Sequence, residues 1–79
     1  MKVEINLYAS LARLMPVSTD GEPYRMDVEE GMRVRDLLRS LQVPEGAVKI
    51  LFLNGIHASG DEILRDGDRI GAFPPVAGG

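Results

Sequence analysis

Residues 34–41, VRDLLRSL, decide the fold, because their apolar side chains recur at helical spacing. The i, i+3, i+4, i+7 pattern of an amphipathic helix is formed by Val34, Leu37, Leu38 and Leu41. It predicts a helix over residues 34–42 that ends before Pro44. Asp36 lies in the first turn of this helix, where the helix dipole favours an acid. The usual N-cap is missing, because no Ser, Thr, Asp or Asn stands directly before Val34.

Two strands are predicted before this helix. Residues 2–8 and 24–28 alternate between apolar and polar side chains, as half-buried strands do. Residues 9–15 suit a short helical turn with Ser10 as a possible cap. Asp20-Gly21 predicts a turn in the polar loop that leads to the second strand.

After the helix, residues 48–53, VKILFL, predict a strand buried on most of both faces, as in the centre of a sheet. Asn54-Gly55 predicts a hairpin turn into a short strand beginning at Ile56-His57. Residues 61–69 are loop-like, with Leu64 as a core plug, and residues 70–73 form the last strand.

This order of elements predicts an α+β domain with one main helix on one face of a mixed sheet of four to five strands. The first two strands can form a hairpin, and the last strand can take a central place beside the first. That arrangement is the β-grasp, or ubiquitin-like, fold. We expect residues 1–73 to form the domain and residues 74–79 a flexible C-terminal tail.

Composition excludes several classes of function for this 79-residue chain. It has no cysteine, which rules out disulfides and cysteine-based metal or catalytic sites, and its one histidine, His57, is expected to face solvent or a partner. The net charge of −3 and the interleaving of bases with acids argue against nucleic-acid binding. No apolar run could span a membrane and no signal peptide is evident, so we expect a cytoplasmic protein without a metal or tightly bound cofactor.

The segment that carries chemistry is residues 73–79, FPPVAGG. Two prolines end the last strand and stiffen the exit of the tail, which can extend about 20 Å at ~3.3–3.6 Å per residue. Gly-Gly has a narrow cross-section and can enter a tunnel that rejects branched side chains. The reactive group is then the Gly79 carboxylate, which needs activation by ATP. No catalytic constellation is visible in the chain, so the catalysts are expected in a partner protein.

FPPVAGG closely resembles the terminal signature of the small subunit of molybdopterin synthase, a sulfur carrier of the MoaD/ThiS family of ubiquitin-like proteins. The likeness extends over most of the chain: residues 64–70 (LRDGDRI) resemble the family's pre-terminal segment, residues 52–55 (FLNG) its central strand and turn, and residues 34–38 (VRDLL) its helix. Arg33 departs from the pattern, because related sequences commonly place Thr there as a helix cap.

The resemblance implies that an E1-like adenylyltransferase activates Gly79 with ATP and that a persulfide donor converts the adenylate to a thiocarboxylate. The tail then enters the large catalytic subunit of molybdopterin synthase in a heterotetramer, where it gives sulfur to the pyranopterin precursor of the molybdenum or tungsten cofactor. Gly78 and Ala77 provide clearance in that site. Three further residues guide the approach: Pro74, Pro75 and Val76.

A partner surface is also expected on the sheet. If Ile50, Phe52 and Ile70 face the helix, alternation sends Leu51, Leu53 and Phe73 to the opposite face, which a two-layer domain leaves uncovered. Residues 15–24 could instead fold over that face, or the register could differ.

Three other functions stay open at this stage. The chain could carry sulfur for thiamine or amino-acid biosynthesis, although the thiamine carrier generally lacks the Pro-Pro-Val stretch. It could be a ubiquitin-like modifier joined to lysines of target proteins through Gly79. It could also be an interaction module whose tail is inert.

Overall fold

The computed structural model describes residues 1–16 and 22–75, where a five-stranded mixed sheet carries one α-helix on one face. The strands are β1 (Lys2–Leu7), β2 (Tyr24–Asp27), β3 (Ile50–Leu53), β4 (Ile56–Ala58) and β5 (Arg69–Phe73). The helix α1 is Val34–Ser40, and 3₁₀ helices lie at Ala9–Leu14 and Glu45–Ala47. The predicted α+β fold is confirmed, whereas the turn predicted at Asp20-Gly21 lies outside the described residues.

The strand order in the sheet is β2-β1-β5-β3-β4. β1 pairs with β2 in antiparallel fashion and with β5 in parallel, while β3 is antiparallel to both β5 and β4. The last strand therefore lies at the centre beside the first, as the order of elements predicts. Asn54 and Gly55 both have positive φ, 54° and 81°, which is the backbone of the predicted two-residue hairpin turn.

The core lies between α1 and the adjacent face of the sheet. Its buried side chains come from both layers: Val3, Ile5 and Leu7 of β1, Val34, Leu37 and Leu38 of α1, and Ile70 and Ala72 of β5. Leu64, in the loop before β5, is 2% exposed and belongs to the same core, so its predicted role as a plug is confirmed. Burying a side chain of this size contributes roughly 1.5–3 kcal/mol.

The predicted facing of β3 is wrong. Leu51 pairs with Ala72 and Leu53 with Ile70, and cross-strand partners share a face of the sheet, so both leucines pack against the core. Ile50 and Phe52 lie on the opposite, open face. The register could not be found by alternation because residues 50–53 are all apolar and no polar side chain marks the exposed face.

Helix α1 begins without a side-chain cap of the usual kind, and the loop before β5 takes its place. The N–H groups of Val34 and Arg35 donate to the carbonyl oxygens of Glu62 (3.0 Å) and Gly60 (2.9 Å). The Asp36 carboxylate accepts the N–H of the residue before the helix at 3.0 Å. Donors that a helix start usually leaves free are therefore satisfied by backbone from residues 60–62.

Glu62 also holds this capping loop in shape, which makes part of the stability depend on pH. Its carboxylate accepts the N–H groups of Ser59 (2.9 Å) and Gly60 (2.8 Å). The hydrogen bond from the Ser59 backbone is the largest of the causes that lower the Glu62 pKa below its ordinary 4.5. Since the folded state favours the charged form, this contribution is present above the ordinary pKa and is lost as pH falls through the lowered value.

We therefore expect Glu62→Gln to lower the free energy of unfolding by roughly 1 kcal/mol at neutral pH. The difference from the unaltered chain should shrink as pH falls below the ordinary pKa of 4.5 and through the lowered pKa of Glu62. Urea unfolding across that range measures it, with Glu30→Gln in the exposed turn before α1 as the matched control. Parallel pH profiles for the unaltered chain and Glu62→Gln would contradict the assignment.

Candidate functional site

The chain leaves the sheet at Phe73, the last residue of the central strand. The Phe73 carbonyl accepts the N–H of Lys49 at 2.8 Å, which ties the end of β5 to the start of β3. Pro74 is half-buried and Pro75 exposed, and neither has an N–H with which to continue the ladder. The predicted tail positions Val76, Ala77, Gly78 and Gly79 lie outside the described residues.

Next to this exit, the open face of the sheet carries a continuous cluster of rings, Tyr8, Phe52, His57 and Phe73, which we call the aromatic face. The rings of Tyr8 and Phe73 stack with centroids 4.3 Å apart and an interplanar angle of 5°. The Phe52 ring packs edge-on against the rings of Phe73 and His57, with centroid separations of 5.9 Å and 6.0 Å. Such ring pairs have restricted geometry, so the aromatic face is a shaped surface rather than a set of independent side chains.

Gly71 allows this packing. It lies on β5 between Arg69 and Phe73, facing the open side, and a Cβ built there would be 3.3 Å from Cε2 of Tyr8. The missing side chain lets the Tyr8 ring lie close to the sheet backbone, while Tyr8 stays 39% exposed. The result is a shallow groove of about 480 Å³ along the aromatic face.

The other half of the open face is charged. On β1 and β2, Lys2 pairs with Asp27 and Glu4 with Arg25, each at 3.0 Å. The hydrogen bond from Lys2 is the main cause of a lowered pKa for Asp27. Exposed pairs like these contribute little to stability. The open face thus divides into a charge-paired part on β1 and β2 and an aromatic part, formed by Tyr8 after β1 together with rings of β3, β4 and β5, next to the exit of β5.

Of the predicted partner surface, the structure places Phe73 on the open face and turns Leu51 and Leu53 toward the core. The expected partner surface on this face is therefore wrong for Leu51 and Leu53 and stays a prediction for Phe73. Sequence reasoning missed Phe52 and Tyr8. Tyr8 could have been found, because it continues the polar phase of β1, in which every second side chain from Lys2 onward faces away from the core.

Within residues 1–16 and 22–75, no three Cys, His, Asp or Glu side chains come close enough together to hold a metal ion. His57, the chain's one histidine, is exposed and packs its ring edge against Phe52. None of the described helices has the length and apolar character needed to cross a membrane. The features brought together at this site are therefore the exit of β5 and the aromatic face.

Known proteins share both the sequence pattern and the fold. The sequence model of the ThiS family matches residues 17–79, which include the tail. A putative molybdopterin converting factor subunit 1 from Pyrococcus furiosus is 30% identical, with 95% of this chain and 98% of that chain covered and a TM-score of 0.70. SAMP1 from Haloferax volcanii is 25% identical over 100% of both chains, with a TM-score of 0.71.

A third solved structure is a complex of subunits 1 and 2 of the molybdopterin-converting factor from Helicobacter pylori. It matches at 26% identity over 100% of both chains, with a TM-score of 0.60. No curated protein sequence matches the chain. The family match covers well over half of the chain and the structural matches nearly all of it. The chain therefore belongs to the ThiS family of ubiquitin-like proteins, as a sulfur carrier or modifier of the ThiS, MoaD and SAMP type.

Proposed function

We propose that the protein carries sulfur as a thiocarboxylate on Gly79 and donates it, as the small subunit of molybdopterin synthase, to a pyranopterin precursor. The observation that carries the proposal is the place of the Gly-Gly tail in the sequence, after the central strand and inside the family match. Gly79 follows the end of the central strand by six residues, and the ThiS family match runs through it. The similarity to subunit 1 of the converting factor, including the complex with its subunit 2, supports the choice of pathway and partner.

The chemistry needs no side-chain catalyst in this chain. A Gly79 carboxylate oxygen attacks the α-phosphorus of ATP on an E1-like adenylyltransferase, and pyrophosphate leaves. The terminal sulfur of a persulfide donor then attacks the acyl carbon and displaces AMP. A thiol cleaves the resulting acyl disulfide to leave the thiocarboxylate. In the large subunit, that sulfur attacks a carbon of the precursor and displaces an oxygen substituent, and water then hydrolyses the acyl–sulfur bond, which leaves the sulfur on the product and restores the Gly79 carboxylate.

The tail residues have steric roles in this proposal. Gly78 and Ala77 keep the last segment narrow, and a narrow segment can reach a buried catalytic site that a branched one cannot. Pro74, Pro75 and Val76 restrict the direction in which the tail leaves β5. Because the reacting carbon is in the backbone, these residues act on access and alignment rather than on proton transfer.

The aromatic face is the proposed docking surface for the large subunit. It lies next to the exit of β5, and its exposed rings include Tyr8, whose stacking on Phe73 fixes its orientation. Aromatic side chains bury large areas at little cost in conformational entropy and often dominate binding energy. Docking there would hold the start of the tail at a fixed distance from the partner's active site.

Intact mass tests the proposal. We expect the purified chain, incubated with a cognate E1-like enzyme, ATP and a persulfide donor, to gain the mass of one oxygen-to-sulfur exchange. The deletion of Gly79 is the matched control and should gain nothing. The protein that carries the thiocarboxylate should then bind the large subunit of molybdopterin synthase rather than a thiazole synthase. No exchange with any E1-like enzyme would refute the carrier function.

The similarity to SAMP1 favours a second candidate, a ubiquitin-like modifier that forms isopeptide bonds through Gly79. The two functions share the adenylate and diverge at the nucleophile, which is a sulfur for the carrier and a lysine amine for the modifier. In the same reaction supplied with cell extract, a modifier would appear as conjugates that retain the whole chain. A carrier would be recovered as the free chain after its sulfur is used.

A further inference from the structure

The side chain of Asn54 joins the β3–β4 turn to the start of β5. Its Nδ2–H donates to Oδ1 of Asp68 at 2.9 Å, and its Oδ1 accepts the N–H of Arg69 at 2.9 Å. The backbone N–H of Asn54 donates to the carbonyl oxygen of Arg69 at 2.8 Å. We call these three hydrogen bonds the Asn54 clamp. They connect residues 52–55, FLNG, with residues 64–70, LRDGDRI, two segments that the sulfur-carrier chemistry leaves without a role.

The Asn54 clamp closes one end of the central ladder. β3 pairs with β5 as far as Leu53 and Ile70, and Asn54 continues that pairing at the end opposite the tail exit. Only one orientation of the Asn54 amide serves both of its partners, since the backbone N–H needs an acceptor and the Asp68 carboxylate needs a donor. A carboxylate of the same shape could not replace this amide, because it has no hydrogen to donate.

Asn54-Gly55 is also a dipeptide in which the asparagine side chain is open to attack by its own chain, since glycine has no side chain to shield its nitrogen. The Gly55 nitrogen attacks Cγ of Asn54, the Cγ–Nδ2 bond breaks, and ammonia leaves with the proton of the attacking nitrogen. Water then opens the cyclic imide at either carbonyl carbon, which gives aspartate or isoaspartate at position 54. The net reaction exchanges an amide NH₂ group for OH and consumes only water. At Asn6, the chain's other asparagine, a branched neighbour and the β1 ladder hinder the same attack.

The Asn54 clamp opposes this reaction in the folded chain. The Gly55 nitrogen must approach Cγ from above or below the plane of the amide, so that plane has to turn toward it. Both polar atoms of the amide are bonded at the start of β5, and the plane can turn only after these bonds break. Asn54 and Gly55 are exposed at the hairpin tip, where local opening needs less free energy than unfolding of the domain. We therefore expect the reaction to proceed through opening of the clamp.

We propose that Asn54 is a site of spontaneous deamidation that the clamp holds in check, and that the product frays the β3–β5 ladder from its Asn54 end. A carboxylate at position 54 meets the Asp68 carboxylate where the amide donated at 2.9 Å, and two like charges with no proton between them repel. The isoaspartate form also lengthens the backbone by one carbon and disrupts the hairpin pairing. The clamp cannot re-form, so the change is one-way.

Fraying from this end reaches the aromatic face. Phe52, two positions before Asn54, pairs with Gly71 on β5 and with His57 on β4. Both rings belong to the aromatic face, so a deamidated chain would lose docking affinity while its Gly79 carboxylate stays chemically intact. The site goes beyond the sulfur-carrier function and does not depend on it, because deamidation is measured on the isolated chain.

Peptide mapping by mass spectrometry tests the protection by the clamp. The full chain is incubated at mildly alkaline pH, folded and in guanidinium chloride, and the exchange of NH₂ for OH is located. We expect position 54 to react at least about tenfold faster in the unfolded chain than in the folded one. Folded Asp68→Asn should react at least about threefold faster than the unaltered chain, because it places a second donor opposite Nδ2 of Asn54. Its oxygen can still accept the N–H of Arg65, which Asp68 accepts at 2.8 Å.

Asp66→Asn is the matched control for Asp68→Asn. It makes the same charge change two positions away, at an exposed carboxylate that accepts the N–H of Lys2 at 2.8 Å and makes no bond to Asn54. Its rate of deamidation at position 54 should stay within about twofold of the unaltered chain. Equal rates for the two variants would overturn the proposal, as would equal rates for the folded and unfolded chain. A rate for Asp68→Asn that rises only in proportion to its unfolded fraction would show global unfolding instead of clamp opening.

Urea unfolding tests the effect of the product. Asn54→Asp should lower the urea midpoint, since it replaces the donor of the clamp by an acceptor. The double variant Asn54→Asp, Asp68→Asn exchanges donor and acceptor without changing the net charge, and it should recover most of the lost midpoint. An unchanged midpoint for Asn54→Asp, or a double variant no more stable than Asn54→Asp, would contradict the proposal. Circular dichroism verifies that each variant is folded before incubation.

Discussion

Gly78→Val is expected to slow sulfur transfer from the preformed thiocarboxylate by at least about 100-fold, because a branched side chain in the narrow tail misplaces the reacting carbon. Its affinity for the large subunit should stay within about threefold, since the docking surface is unchanged. Single-turnover transfer measures the first quantity and calorimetry the second. Transfer at the unaltered rate would contradict the proposed threading of the tail.

Phe73→Ala is the matched variant, with the opposite expected pattern. Phe73 stacks on Tyr8 and meets Phe52 edge-on, so its loss disrupts the proposed docking surface. Binding should weaken by about 10- to 100-fold, while transfer at saturating large subunit should be retained. Ile56→Ala, at a side chain 72% exposed at the hairpin tip, controls for loss of apolar area. If Gly78→Val and Phe73→Ala each reduce both the affinity for the large subunit and the rate of sulfur transfer equally, docking of the domain and entry of the tail are not separate steps.

Leu64→Ala is expected to lower the free energy of unfolding by about 3 kcal/mol. Leu64 is 2% exposed, and its N–H donates to the carbonyl of Met32 at 2.8 Å, so its side chain fixes the loop that caps α1. A domain of this size has roughly 5 kcal/mol in total, so such a loss would leave a measurable unfolded fraction at physiological temperature. Urea unfolding followed by circular dichroism gives the value.

Ile63→Ala is the control for Leu64→Ala. The two residues are neighbours in the same loop, but Ile63 is 53% exposed. Its truncation should change the free energy of unfolding by less than about 0.5 kcal/mol. If the two variants cost the same, the stability of this loop comes from its backbone bonds and not from the plug.

The parts of the fold that sequence could predict are those in which polar and apolar residues contrast. The alternation of β1 and the helical spacing from Val34 to Leu41 each identify a buried face directly. The turn at Asn54-Gly55 was also predictable, because few other residue pairs adopt two positive φ angles readily. These elements, in order, were enough to predict the central place of β5.

The facing of β3 was not predictable by alternation because both of its faces are apolar. Its register follows from pairing with β5, where Leu53 opposes Ile70 and Leu51 opposes Ala72. The start of α1 was predicted at Val34, but its cap was not, because the first N–H groups of the helix donate to backbone carbonyls of residues distant in sequence, and a carbonyl is present at every position. For the candidate site, the chemistry of the tail could be predicted from its residue types. The aromatic face could not, because its composition depends on the register between β3 and β5.

The central place of β5 also bears on the order in which the chain becomes a domain during synthesis. Every sheet contact between β1 and β3 passes through β5, the last of the described strands to be translated. A nascent chain that stops before Arg69 can form the β1–β2 and β3–β4 hairpins but cannot join them into one sheet. Because such long-range pairing is late and comparatively slow, the docking surface and the start of the tail are completed in the same final step.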